Sequence, residues 1–231
     1  MGLKLGLPSK GRLQSQVIEW FAARGVMVER SASEREYSGR VAGVADVELV
    51  LLSAGEIPKE IAAGRIHVGV TGLDLIREKL PTDAVVELAP MGLGHATLVL
   101  AVPSAWVDVR TLDDFDAVCG QFRQIHGHRL RIATKYHNLI RQNLSDFGVA
   151  DYQLVDSQGA TEGTVKNGTA EAVADITSTG DTLRANHLRV LDDGQFLRSE
   201  AWAFASNTAE WDGAAQTGYE ALAEKLDWPD R

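Results

Sequence analysis

From Leu3 to Ala205, short apolar runs alternate with amphipathic segments, a rhythm that admits few architectures other than βα units laid into layered sheets. Leu3–Leu7 reads as a first strand. Leu13–Ala23 reads as the helix after it, with Leu13, Val17, Ile18, Phe21 and Ala22 at helical spacing and Gly25 as its stop. Val47–Leu52 reads as a buried strand, Glu56–Ala63 as a short helix closed by Gly64, Ile66–Val70 as another strand, and Leu73 as the start of the next helix. Around Met91-Gly92-Leu93-Gly94 the pattern changes. A long apolar strand, Thr97–Val102, stops at Pro103 and is followed by a polar segment containing Asp113, Asp114 and Asp116.

A second series then unfolds: a strand at Leu130–Ala133, a helix over Asn138–Phe147, a strand at Tyr152–Val155, a helix from Ala160 to Lys166 and a strand at Ala172–Ile176. His187–Leu191 and Leu197–Ala205 read as further strands, and Ala209–Leu226 as a closing helix. This order predicts an α/β chain with a two-lobed, periplasmic-binding-protein-like fold, mostly parallel sheets and a central cleft. Residues 1–91 plus 185–231 form the first expected lobe and residues 92–184 the second, and a junction of that kind is where small ligands usually bind.

With a net charge of −9 over 231 residues, the chain has no broad basic surface for nucleic acid or an anionic membrane, so any anion must meet a local site. The lone Cys119 offers neither an internal disulfide nor a metal cluster and reads as a semi-buried apolar filler. The apolar amino terminus is too short for a signal peptide, and no apolar stretch is long enough to span a bilayer, so a cytoplasmic protein is expected. The six histidines lack ligand spacing, and none is assigned to metal or acid–base work.

The chemistry concentrates between Glu162 and Leu183. An apolar strand delivers one carboxylate, Asp175, at its carboxyl end, and the bend Ser178-Thr179-Gly180-Asp181-Thr182 follows and opens into a helix. Gly180 lets the backbone approach an anion, exposed amides supply positive potential, and the hydroxyls add donors, which suits a phosphate. A carboxylate just upstream is placed to accept from a sugar diol. The plainer alternative is a turn and helix cap with Thr179 or Asp181 as the cap.

The whole segment resembles the signature of ATP phosphoribosyltransferases: Glu162, then Gly168, Ala170, Val173, Asp175, Ile176, Thr179, Gly180, Thr182 and Leu183 in register. Leu7-Pro8-Ser9-Lys10-Gly11-Arg12-Leu13 is similar to the family's opening strand and loop, Val68-Gly69-Val70-Thr71-Gly72-Leu73-Asp74 to its Thr-Gly corner, and Arg131–Leu139 to its second-lobe strand and helix start, with His137 where many members have proline. Two departures stand out. Ser53 replaces an arginine found in many relatives, and Asp181 puts a negative charge inside the phosphate bend. Asp181 must therefore point away from the phosphate or coordinate a metal.

The resemblance implies a short-form catalytic subunit that joins ATP to phosphoribosyl pyrophosphate at the entry to histidine biosynthesis, releasing pyrophosphate. It implies Lys10, Arg12 and Asp175 as catalytic residues, and Glu162, Asp175, Ser178, Thr179, Gly180, Asp181 and Thr182 as the phosphoribosyl site. Arg35, Thr71 and Gly72 are implied near the nucleotide, and Mg2+ arrives with the substrates, without a protein metal cluster. For Arg35 an ion pair with Glu34 or Glu36 serves as well, and for Thr71-Gly72 a turn capped by Asp74. A histidyl-tRNA-synthetase-like regulatory subunit and a homodimer within a larger hetero-oligomer are the implied partners. The rival class is a non-catalytic two-lobed small-anion-binding or effector-sensing domain, since architecture alone does not fix activity.

Overall fold

The computed structural model describes residues 2–30, 38–157, 159 and 161–230. The elements in chain order are β1 (Leu3–Pro8), α1 (Gly11–Ala22), β2 (Met27–Arg30), β3 (Ser38–Ala42), β4 (Val47–Leu52), α2 (Ile57–Ala62), β5 (Val68–Gly72), α3 (Leu73–Lys79) and β6 (Val85–Pro90). Then come β7 (Ala96–Pro103), α4 (Leu112–His126), β8 (Leu130–Thr134), α5 (His137–Asp146), β9 (Tyr152–Asp156), α6 (Gly163–Lys166), β10 (Ala172–Thr177), α7 (Asp181–Ala185), β11 (Leu188–Ser199), β12 (Ala201–Ser206) and α8 (Gly213–Leu226). They divide into two compact units, Met1–His95 with Glu200–Arg231, and Ala96–Ser199.

The first unit is a seven-stranded sheet in the order β2-β3-β4-β1-β5-β12-β6. Leu3, Leu5 and Leu7 of β1 pack with Leu49 and Leu51 of β4, Val17 and Phe21 of α1, and Tyr219 and Leu222 of α8. A Cβ added at Gly218 would come 2.8 Å from the Asp46 carbonyl, so the missing side chain is what lets α8 lie against β1 and β4. His67 is a core histidine. Its Nδ1 accepts from the Lys4 amide at 2.9 Å, and Nε2 lies 3.0 Å from the Glu210 carbonyl.

The second unit is a five-stranded sheet in the order β11-β7-β10-β8-β9. Val99, Ala101 and Val173 of the sheet pack with Leu183 of α7 and Leu188 of β11. His137 opens α5, and its Nε2 lies 2.7 Å from Asp156 Oδ1 at the end of β9, so this side chain ties two elements together.

The α/β class holds, with three corrections. The sheets are mixed rather than mostly parallel: β1–β4, β1–β5, β8–β10 and β8–β9 are parallel, whereas β2–β3, β3–β4, β5–β12, β6–β12, β7–β10 and β7–β11 are antiparallel. The returning strands run against their neighbours. The expected lobe boundaries at residues 92 and 185 also move. The Met91 amide donates to the Ala201 carbonyl and the Ala201 amide to Leu93, which keeps that turn with the first unit, while β11 pairs with β7 from Leu188↔Pro103 to Ser199↔Ala96 and so belongs wholly to the second. The strand expected over Leu197–Ala205 is therefore two strands in two sheets.

Third, the polar segment with three aspartates is a helix. Thr111 and Asp114 form a reciprocal capping box, Asp113 and Asp114 occupy the first turn, and Leu112, Phe115 and Cys119 make a buried stripe. Amides of Arg110 and Thr111 donate to Asp114 and hold its carboxyl below the usual range. Among the described residues no helix is long and apolar enough to cross a membrane.

Candidate active site

β10 is buried on Ala172, Val173 and Ala174 because it runs between β7 and β8, and its last residues emerge at the carboxyl end of the parallel pair β8–β10, the end at which α/β sheets seat ligands. Asp175 is the first polar side chain to emerge there. Its side chain is 11% exposed, the Ile176 amide donates to Oδ1 at 2.8 Å, and Lys135 Nζ lies 3.3 Å from the same oxygen. Lys135 follows directly after β8, and its place beside Asp175 follows from strand adjacency that the linear chain does not display.

The bend after β10 closes on itself. The Gly180 amide donates to Thr177 Oγ1 at 2.9 Å, and Gly180 takes φ 74°, a conformation that favours glycine. Ser178, Thr179, Asp181 and Thr182 are exposed. The Thr179 hydroxyl donates to Asp181 Oδ2 at 2.6 Å, and the Asp181 amide donates back to Thr179 Oγ1 at 3.3 Å. Arg184 binds Asp181 Oδ1. The Thr179 hydroxyl and then Arg184 hold the Asp181 carboxyl below its ordinary range. The charge that the sequence leaves unexplained thus points along the helix and is neutralised by a residue one turn on, a pair that i,i+3 spacing makes readable. In this arrangement the Thr179 proton is committed to Asp181, and the Gly180 and Asp181 amides to the hydroxyl oxygens of Thr177 and Thr179, so the bend is held in shape by its own side chains.

Glu162 is half-buried, at the residue before α6, and its side chain caps no helix. Beneath that turn, the Ser157 hydroxyl donates to Thr161 Oγ1 at 2.9 Å, and Thr164 Oγ1 donates to the Thr161 carbonyl at 2.7 Å.

In the first unit, Lys10, Gly11 and Arg12 are exposed at the β1–α1 junction, where α1 starts without a side-chain cap and without an acidic residue in its first turn. Two cations and open amides at one helix start favour an anion. The neighbouring loop carries a compensating charge. The Ser53 hydroxyl and amide donate to Glu56 Oε2 at 2.7 and 3.0 Å and hold its carboxyl low, with a weaker pull from Lys10. Ser53 therefore acts as a local turn-former. Lys79 adds a cation that sequence reasoning missed, donating to the Gly55 carbonyl.

The Thr-Gly corner needs a correction. Thr71 is fully buried and its hydroxyl donates to the Ala54 carbonyl at 2.9 Å, so its side chain braces the Ser53–Glu56 loop, and only Gly72 of the pair has partial exposure. Arg35 lies outside the described residues. Among those residues no group of three or more His, Cys, Asp or Glu is placed to hold a metal. Cys119 is fully buried in α4, and burial, followed by the charges of Asp116 and Asp151, pushes its thiol up to about 12.

Residues 53–227 match the family model of ATP phosphoribosyltransferase (HisG). The chain is 62% identical over 231 residues to an ATP phosphoribosyltransferase of Cereibacter sphaeroides, covering 99% of this chain and 98% of the relative. It is 48% identical over 227 residues to one from Nitrobacter winogradskyi, covering 97% of this chain and 70% of that protein. Among solved structures it resembles the ATP phosphoribosyl transferase (HisG:HisZ) complex from Thermotoga maritima, with TM-score 0.74, 22% identity, and 97% and 96% of the two chains covered. It also resembles a mutant of the arginine-binding protein ArgBP from T. maritima, with TM-score 0.52, 14% identity, and 97% and 86% covered. At those identities the structural likenesses concern the fold alone.

Proposed function

The chain belongs to the ATP phosphoribosyltransferase family, and from that premise we propose how its residues share the condensation of ATP with 5-phosphoribosyl 1-pyrophosphate. The reaction forms a bond from adenine N1 to ribose C1 as the bond from C1 to pyrophosphate breaks, giving N1-(5-phosphoribosyl)-ATP and pyrophosphate. No protein nucleophile is required. The protein must align two polyanions and stabilise a leaving group while positive charge develops on the sugar, which is work for positioning and electrostatics.

Asp175 accepts from the ribose hydroxyls, and the bend from Ser178 to Thr182 holds the 5-phosphate. Gly180 supplies the left-handed turn, and Asp181 acts from outside the anion site by ordering Thr179 and Arg184. Lys10 and Arg12, with the open amides at the start of α1, meet the pyrophosphate. Glu162 orders the sugar-side turn, and Gly72 is the member of the Thr-Gly corner left to approach the nucleotide. The observation that carries this division is the bend itself: a nearly buried carboxylate near a strand end, followed by exposed hydroxyl residues around a left-handed glycine.

Mg2+ enters with the substrates in this reading. Magnesium needs only one or two protein carboxylates beside phosphate oxygens, so a substrate-borne ion asks little of the chain, and Glu162 is the carboxylate that would meet it. The ion would draw charge from the departing pyrophosphate. The family resemblance and the solved T. maritima HisG:HisZ complex support a separate regulatory subunit; homodimers of this chain inside a larger hetero-oligomer are what the resemblance alone implies. A cytoplasmic location suits a biosynthetic enzyme of this kind.

The test is direct. The purified chain is mixed with ATP, the phosphoribosyl donor and Mg2+, with and without the regulatory partner, and phosphoribosyl-ATP and pyrophosphate are followed. Formation of both in equal amounts supports the reading. Donor binding without either product under every condition would favour the non-catalytic binding domain.

A further inference from the structure

We propose that Lys135 is a positioning residue for Asp175, an inference that rests on the reading of Asp175 as the ribose grip. β8 and β10 are parallel neighbours in the register Ala172↔Ile132, Val173↔Ala133 and Ala174↔Thr134. One further step along each strand brings Lys135 and Asp175 out side by side at the carboxyl ends. The pairing is therefore a product of the sheet, with the two residues far apart in the chain.

The two contacts on the carboxylate define an orientation. The Ile176 amide donates to Oδ1 at 2.8 Å and Lys135 Nζ lies 3.3 Å from that same atom. Among the described residues both contacts fall on Oδ1, so Oδ2 is the oxygen left to accept from a sugar diol. Asp175 has a side chain only 11% exposed, whereas that of Lys135 is 48% exposed. A carboxylate so deep is held to a single rotamer when a cation stays in reach, and Lys135 is that cation. Its ammonium lies 5.8 Å from the ring centroid of buried Tyr136, a contact that helps to hold the head group over the strand ends. An ordinary surface ion pair would be worth little, but this one fixes the group that reads the substrate.

The experiment is steady-state kinetics on the full chain, with its regulatory partner where activity requires it, varying phosphoribosyl pyrophosphate and ATP separately. Lys135→Met, Lys135→Arg, Asp175→Asn and the Lys135→Met/Asp175→Asn double variant are compared. Lys135→Met is expected to raise KM for the donor about tenfold, the scale of a charge-assisted hydrogen bond lost from a partly solvated pair. KM for ATP should not move, Lys135→Arg should recover most of the donor affinity, and in the Asp175→Asn background Lys135→Met should add nothing. An unchanged donor KM, equal shifts in both KM values, or a full additional loss in the double variant would overturn the proposal. If Asp175→Asn alone left donor KM unchanged, the ribose-grip reading beneath it would be the one to fall.

Discussion

Replacing Gly180 by alanine should damage donor binding far more than it damages the fold. Gly180 sits at φ 74°, its amide donates to Thr177 Oγ1 at 2.9 Å, and its carbonyl accepts from the Arg184 amide at 3.0 Å. An L-residue in that conformation costs about 1 kcal/mol or slightly more. The added Cβ would come 3.0 Å from Arg184 Nη1, the far end of a flexible exposed side chain, so the clash itself adds little. The melting temperature should fall by about 2–4 °C, the shift that roughly 1 kcal/mol produces in a chain of this size. The bend, however, can relieve its strain only by rotating the peptides around residue 180, and that turns the bend's hydrogen-bond donors away from the 5-phosphate assigned to it. Loss of one such bond to a charged acceptor corresponds to about tenfold or more in KM for phosphoribosyl pyrophosphate. Scanning calorimetry and initial rates with the donor varied would measure both effects. The expected melting shift accompanied by an unchanged donor KM would refute the assignment of the bend to phosphate.

Three further outcomes follow from side chains elsewhere. Burial pushes the Glu171 carboxyl up, but hydrogen bonds from Arg131 outweigh it and leave the group low. Its stabilising effect is thus complete above the unfolded value of about 4.3 and is lost as pH falls through the native value. Glu171→Gln should cost about 1 kcal/mol at pH 7 in denaturant titrations, and the gap from the parent should close in acid. Thr111→Ala removes the oxygen that accepts from the Asp114 amide and should cost about 1 kcal/mol by the same measurement, with kinetics unchanged. Cys119, with its thiol pushed up to about 12, should resist a disulfide reagent at pH 8 in the native protein and react at once in denaturant.

The strands that carry the first core were legible because Leu3, Leu5 and Leu7, and likewise Leu49 and Leu51, repeat with the strand period and are buried. Strands β2, β3 and β6 were not, because edge and near-edge strands need not be apolar: β6 buries only Val85 and Leu88, and Met27 of β2 is 56% exposed. The helix α4 was hidden behind its three aspartates. Its capping box was present at Thr111 and Asp114, but with aspartate in the place usually held by glutamate or glutamine. At the site, Asp175 and the Ser178–Thr182 bend could be read because they are contiguous in the chain. Lys135 could not, since only the pairing of β8 with β10 brings it to Asp175, and the buried hydroxyl of Thr71 looks the same in sequence as an exposed one.

A crystal structure of the chain with phosphoribosyl pyrophosphate and Mg2+ bound tests the central assignment most directly. The 5-phosphate should rest in the bend from Ser178 to Thr182, with the sugar hydroxyls on Asp175. A donor held elsewhere, with that bend unoccupied and Asp175 touching only Lys135 and Ile176, would contradict it.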